Sequence, residues 1–111
     1  MIKFAKTTKY KSGFKRGEHT LKPRFTLIPH SSLERLAMHY TLGGIKYGFN
    51  NWKLAHTDEE LQDLKDSAVR HVLQWAKGDK DEEHFASACW NMFNYEYLYA
   101  QKKLTKKKKG V

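Results

Sequence analysis

The sequence predicts an all-α domain, a small helical bundle of three main helices completed by oligomerisation. Three observations carry that expectation. Apolar residues recur at spacings of three and four in three stretches between residues 31 and 103. Two of these stretches open on Ser or Thr with Glu three residues on, the reciprocal capping box that satisfies two otherwise unpaired backbone N–H groups. No convincing strand alternation or internal repeat interrupts them. A chain of 111 residues fits one domain with a modest core, and chains this short often gain stability by self-association.

Residues 1–21 read as a basic, loosely ordered N-terminal arm, with Tyr10 and Phe14 available as anchors. The all-α domain spans residues 22–103 and a lysine-rich tail follows over 104–111. Lys22 to Pro29 reads as extended, because its two prolines cannot sit inside a helix. The first helix opens at SSLE, with Ser31 and Glu34 as a capping box and Leu33, Leu36, Ala37 and Tyr40 as its apolar stripe. Gly43 and Gly44 break or bend it, and Ile45 to Tyr47 continue it for a turn before Gly48. A loop carrying Trp52 leads to the second helix, where Thr57 and Glu60 form another capping box. Asp58, Glu59 and Glu60 there favour the positive end of the helix dipole. Leu61, Leu64, Ala68, Val72 and Trp75 share one face of this helix, and Gly78 is a natural stop. The third helix starts near Asp81 and runs to about Lys103, with Phe85, Ala88, Cys89, Met92, Tyr95 and Tyr99 as its apolar face, after which the chain frays.

The net charge of +9 is unevenly placed. Residues 1–30 hold eight Lys/Arg against one acid, and residues 101–111 hold six Lys and no acid. The middle, residues 31–100, holds seven Lys/Arg against eleven acids. The basic ends suit non-specific nucleic-acid contact, whereas the acidic middle has the wrong sign for a nucleic-acid groove and suits a cation site. The single cysteine, Cys89, excludes an internal disulfide and a cysteine metal cage and fits the cytoplasm. No apolar run approaches the roughly 18 residues of a membrane span, so no membrane partner is expected. The basic start of the chain lacks the apolar core of a secretory signal.

Two polar stripes are candidates for chemistry. On the second helix Asp63, Asp66, Arg70 and Gln74 lie on one side, with His71 nearer the apolar face. From composition alone a solvated face with an Asp66–Arg70 pair accounts for them better than a site does. On the third helix His84, Ser87, Asn91 and Asn94 form a stripe beside large aromatics, which is unusual for a simple exposed face. Asp81, Glu82 and Glu83 either complement the dipole of that helix or meet the acids of the second helix to hold Mg²⁺, which prefers oxygen ligands and bridges to substrate phosphates. Lys22, Arg24, Lys46 and Arg70 are available for those phosphates, or are solvated surface charges. Trp52 suits base stacking or the core. His71 suits a general base, a metal ligand or a hydrogen-bonded structural role. No Gly-rich phosphate loop, serine triad or CxxC motif is present.

Four blocks in order, KPRFTLIP, LERLAMHYTLGGIKYGFNNW, DSAVRHVLQWAKGD and DEEHFASACWN, resemble phage dATP/dGTP diphosphohydrolases, a family similar to the all-α nucleotide pyrophosphatases of the MazG type. The resemblance covers about residues 22–98. It implies metal-dependent hydrolysis of purine deoxynucleoside triphosphates to monophosphate and pyrophosphate, with Mg²⁺ or Mn²⁺ on helix carboxylates, in a host cytoplasm. It implies Glu34, Asp66, Glu82 and Glu83 as metal ligands, and Asp66, His71, His84 and Asn91 as catalytic or supporting groups. Lys22, Arg24, Lys46 and Arg70 become phosphate binders, and Asn51 and Trp52 hold the nucleoside. The chain departs from the family pattern at Thr26, where Asp is usual, and at Ser87, where a second histidine is found in longer forms. Those departures and the basic ends also fit an alternative, a phage protein that binds nucleic acid or a host protein and keeps a vestigial nucleotide site.

Overall fold

The structure is a computed structural model that describes residues 6–18 and 21–109. The rest of the basic arm, and Gly110 and Val111 of the tail, lie outside the described residues. The chain divides into two compact units, Met1–His30 and Ser31–Val111.

The first unit holds a hairpin where the sequence suggested a loose arm without strands. Strands β1 (Lys6–Lys9) and β2 (Lys15–Glu18) pair antiparallel, with Lys9 opposite Lys15 and Lys6 opposite Glu18. The signal was in the turn and not in alternation. Gly13 takes φ +91° and its N–H donates to the Tyr10 carbonyl, while the Tyr10 N–H donates to the Phe14 carbonyl. That is a three-residue loop closed by a glycine in the left-handed region. The Tyr10 and Phe14 rings meet across it, 5.4 Å apart. Further on, Phe25–Leu27 curl into a single 3-10 turn within the segment expected to be extended. Pro23 and Pro29 lie outside the turn on either side.

The second unit is the expected all-α bundle, built from α1 (His30–Tyr47), α2 (Asp58–Lys77) and α3 (His84–Lys109), with a 3-10 turn at Asn51–Leu54 between the first two. α1 starts at His30, directly after Pro29, so Ser31 lies inside the first turn and does not cap it as the sequence suggested. Gly43 and Gly44 leave α1 unbroken. Gly44 is buried, and a Cβ there would collide with the Phe49 ring, so its small size serves close approach rather than a bend. Gly48, at φ +101°, ends the helix.

α2 begins as its sequence requires. The Thr57 side chain accepts from the Glu60 N–H, and the Glu60 carboxylate accepts from the Thr57 N–H in return. Gly78, at φ +86°, closes the helix, its N–H reaching the carbonyls of Gln74 and Trp75. α3 starts three residues later than expected, at His84, which leaves Asp81, Glu82 and Glu83 just ahead of the helix. It also runs past Lys103 to Lys109. Lysine is a good helix former, and Lys102 is tied to Asp58 at the start of α2.

The faces of α3 are arranged differently from the sequence expectation. The side chains it buries are His84, Ser87, Asn91 and Asn94, together with Ala86, Ala88 and Leu98. Met92 and Tyr99, expected inside, are exposed. On α2 Leu61, Ala68 and His71 are buried, whereas Val72 and Trp75 face out. The polar stripe of α3 is therefore the seam of the bundle. No helix among the described residues is long and apolar enough to cross a membrane.

Candidate functional site

A cleft of about 750 Å³ opens between the C-terminal half of α1 with the 3-10 turn on one side and α2 and α3 on the other. α1 contributes an almost continuous run, residues 39–44 with Lys46 and Tyr47, in which His39, Tyr40, Gly43, Lys46 and Tyr47 share a face and Leu42 lies at the margin. α2 presents Ser67 and His71, one turn apart. The segment before α3 adds Glu82, and α3 adds Ser87, Trp90 and Asn91. Asn51 and Trp52 close the rim. Trp52 is half-buried, held edge-on by Tyr40 at 6.0 Å and Tyr97 at 5.4 Å between ring centres.

Six of the residues singled out in the sequence thus share one cleft: Lys46, Asn51, Trp52, His71, Glu82 and Asn91. Others lie elsewhere. Asp66 and Arg70 each precede a cleft residue by one position, a rotation of about 100° around the helix, and so point away. Asp66 accepts from the Gln62 amide at 3.0 Å, and the Arg70 guanidinium donates to Gln74 at 3.4 Å. The Asp66–Arg70 pair suggested by spacing does not form. Glu34 is exposed on α1, about 200° around from the buried Leu36. Glu83 is bound by Arg35, whose Nε donates at 2.9 Å to one carboxylate oxygen while an Nη donates to the other. That guanidinium holds the Glu83 carboxyl below its ordinary range. Lys22 and Arg24 belong to the first unit and are exposed there.

The acidic triplet Asp81-Glu82-Glu83 therefore divides three ways: Glu82 lines the cleft, Glu83 pairs with Arg35, and Asp81 accepts from the His84 Nε2–H at 2.7 Å. The hydrogen bond from His84 lowers the Asp81 carboxyl pKa. The other ring nitrogen of His84, Nδ1, lies 2.8 Å from Nδ1 of His71. Both histidines are buried, at 2% exposure for His84 and 6% for His71. Burial, with the charge of Arg70 adding, pushes His71 below its ordinary value, and Glu82 pulls it the other way. One ligand atom from each of Asp81, Glu82 and His84 lies within 4.8 Å of the others, but both His84 nitrogens are already engaged, so this triple does not offer a histidine ligand.

Sequence reasoning missed His39 and gave no role to Ser87. The His39 Nε2 and the Ser87 hydroxyl face each other at 3.5 Å, the outer limit of a hydrogen bond, and burial lowers the His39 pKa. The available signal was the position of His39, three residues after Leu36 and four before Gly43, on the inward face of α1. Asn91 spends its amide Nδ2 on the Ser87 carbonyl at 2.8 Å, which leaves its Oδ1 as an acceptor. Asn94, deeper in the seam, accepts from the Tyr40 hydroxyl and leaves its buried Nδ2 without a partner among the described residues.

Mg²⁺ commonly takes one or two protein carboxylates and completes its shell with water and substrate phosphates. Glu82, the one carboxylate among the described cleft residues, fits that habit; the four-carboxylate set expected from the sequence is not assembled. Residues 12–108 match the family model described as dATP/dGTP diphosphohydrolase, N-terminal. No curated protein and no solved structure matches the chain.

Proposed function

Because the chain belongs to the dATP/dGTP diphosphohydrolase N-terminal family, we propose that its cleft hydrolyses purine deoxynucleoside triphosphates between the α- and β-phosphates, releasing the monophosphate and pyrophosphate. The observation that carries this reading is the gathering of Lys46, Asn51, Trp52, His71, Glu82 and Asn91 around one cleft of ligand-binding size. The aromatic wall of Tyr40, Trp52 and Trp90 supplies apolar surface for a purine. Asn51 and the free Oδ1 of Asn91 supply hydrogen bonds to fix it. Lys46 is the basic side chain among the described cleft residues and offsets phosphate charge.

Mg²⁺ or Mn²⁺ bound through Glu82 would polarise the phosphates and lower the pKa of water. This chain's own residues supply orientation, exclusion of water by the aromatic wall, and a nitrogen base in His71. The exposed apolar stripe Met38, Leu42 and Ile45 on α1, and the cluster Val69, Val72 and Leu73 on α2, support assembly of more than one copy.

Incubation of the protein with each deoxynucleoside triphosphate and Mg²⁺ or Mn²⁺ tests the reading. The expected products are monophosphate and pyrophosphate, in equal amounts, from dATP or dGTP. Release of orthophosphate instead, or no turnover of any nucleotide with either metal, would reject it.

A further inference from the structure

The hydrogen bonds behind the cleft run in one direction. Asp81 is a carboxylate that can only accept, so the His84 nitrogen facing it at 2.7 Å, Nε2, carries a proton. In neutral His84 the other nitrogen, Nδ1, is then bare. It lies 2.8 Å from Nδ1 of His71, and two bare nitrogens at that distance would repel, so the proton between them belongs to His71 Nδ1. Neutral His71 is left with a bare Nε2. Among the described residues no hydrogen bond engages this atom, and His71 lines the cleft. Both rings are almost fully buried, so the order of donors and acceptors is protected from competing water.

We infer that Asp81, acting through His84, fixes His71 as the Nδ1–H tautomer and thereby presents a bare Nε2 to the cleft as the base that takes a proton from the attacking water. Asp81 and His84 are positioning residues, and only His71 meets the reacting atoms. The inference rests on the hydrolysis proposed above. In the step it describes, the water oxygen bonds to the α-phosphorus and one water proton passes to His71 Nε2. The bond from that phosphorus to the α,β-bridging oxygen breaks, and its electron pair leaves with pyrophosphate. The imidazolium then returns its proton to solvent or to the departing pyrophosphate.

Glu82 and His39 face the same cleft and are the rival bases. Neither has a chain of hydrogen bonds behind it among the described residues. His39 meets only the Ser87 hydroxyl, at 3.5 Å, which can act as donor or acceptor and so fixes no tautomer.

Two measurements test the assignment. The first is ¹⁵N NMR of the histidine rings in the wild-type protein at neutral pH, which needs neither a variant nor activity. His71 is expected to show a protonated Nδ1 and a bare Nε2, and the opposite tautomer overturns the inference. The second is Asp81→Asn, whose amide can donate to His84 and allow the proton order to reverse. Its kcat is expected to fall at least ~10-fold with KM within about twofold, and His71→Gln should lose roughly 100-fold, the lower end for general-base catalysis. An Asp81→Asn enzyme with unchanged kcat overturns the inference as well. Absence of any wild-type hydrolysis defeats the proposed function, while the tautomer measurement still decides the hydrogen-bond order.

Discussion

Glu82 and Asp66 are both carboxylates in the acidic middle of the chain, and their surroundings give them different work. Glu82 lines the cleft, and its charge opposes the lowering of the His71 pKa, whereas Asp66 faces outward and accepts from Gln62. Glu82→Gln removes the charge at nearly constant shape and is expected to cost on the order of 100-fold in kcat/KM, while Asp66→Asn should stay within about threefold. Steady-state kinetics of the two variants with the same nucleotide and metal decide between them, and equal losses would return Asp66 to the site. The six gathered residues were named through the family resemblance, because their types alone fit a solvated surface or a core as readily as phosphate and nucleoside chemistry. Their separation from Asp66, Arg70 and Glu34 was not legible, because a helix turns by about 100° per residue and a single position moves a side chain from the cleft to solvent.

At the scale of elements, the start of α2 is the clearest case of local sequence specifying structure. The capping box at Thr57 and Glu60 is read from four residues and forms as read, since both partners lie within one turn. It also makes a pH prediction. The hydrogen bond from the Thr57 N–H, with those from the His56 N–H and the Thr57 hydroxyl, holds the Glu60 pKa down to about 2 from an ordinary 4.5. A depressed carboxylate stabilises the fold where it is ionised in both states. Its contribution is therefore complete above pH 4.5 and is lost as pH falls towards 2. The Tm of Glu60→Gln should trail that of wild type at pH 7, and the gap should close on acidification towards pH 2; a gap independent of pH would remove the charge from the account. α3 gives the opposite lesson. Its two stripes differ in polarity, and hydrophobicity alone assigned the apolar one to the core. The bundle buries His84, Ser87, Asn91 and Asn94 beside Ala88 of the apolar stripe, leaves Phe85, Cys89 and Tyr95 half-buried, and exposes Met92 and Tyr99. His84, Ser87 and Asn94 tolerate burial because neighbours on α1, α2 and the segment before α3 supply hydrogen-bond partners that the α3 sequence does not contain, while Asn91 donates back to the Ser87 carbonyl of α3 itself.

For the whole molecule, that partial exposure of the apolar stripes leaves apolar surface uncovered. Val69, Leu73, Met92 and Phe93 are exposed, as are Met38, Leu42 and Ile45 along α1. A bundle with so small an apolar core and so much exposed apolar surface fits the proposed self-association. Sedimentation equilibrium is expected to give a mass at least twice the 13.1 kDa of one chain. Leu42→Lys combined with Leu73→Lys should shift that mass towards the monomer. A wild-type protein that sediments as a monomer would show that these faces remain open to water.

The sequence by itself determined the three helices of the bundle and the cap and stop of α2, and it held the residue types that line the cleft. These follow from interactions within a turn or two of chain, where spacing is geometry. The hairpin at Lys6–Glu18 belongs to the same class, since the left-handed Gly13 was there to be read. Tertiary structure alone decided which face of α3 is inside, which of the eleven acids between residues 31 and 100 reaches the cleft, and that His71 and His84 meet. Those outcomes depend on pairs of side chains up to 54 positions apart, such as Tyr40 and Asn94, brought within hydrogen-bond distance by packing that no local pattern encodes.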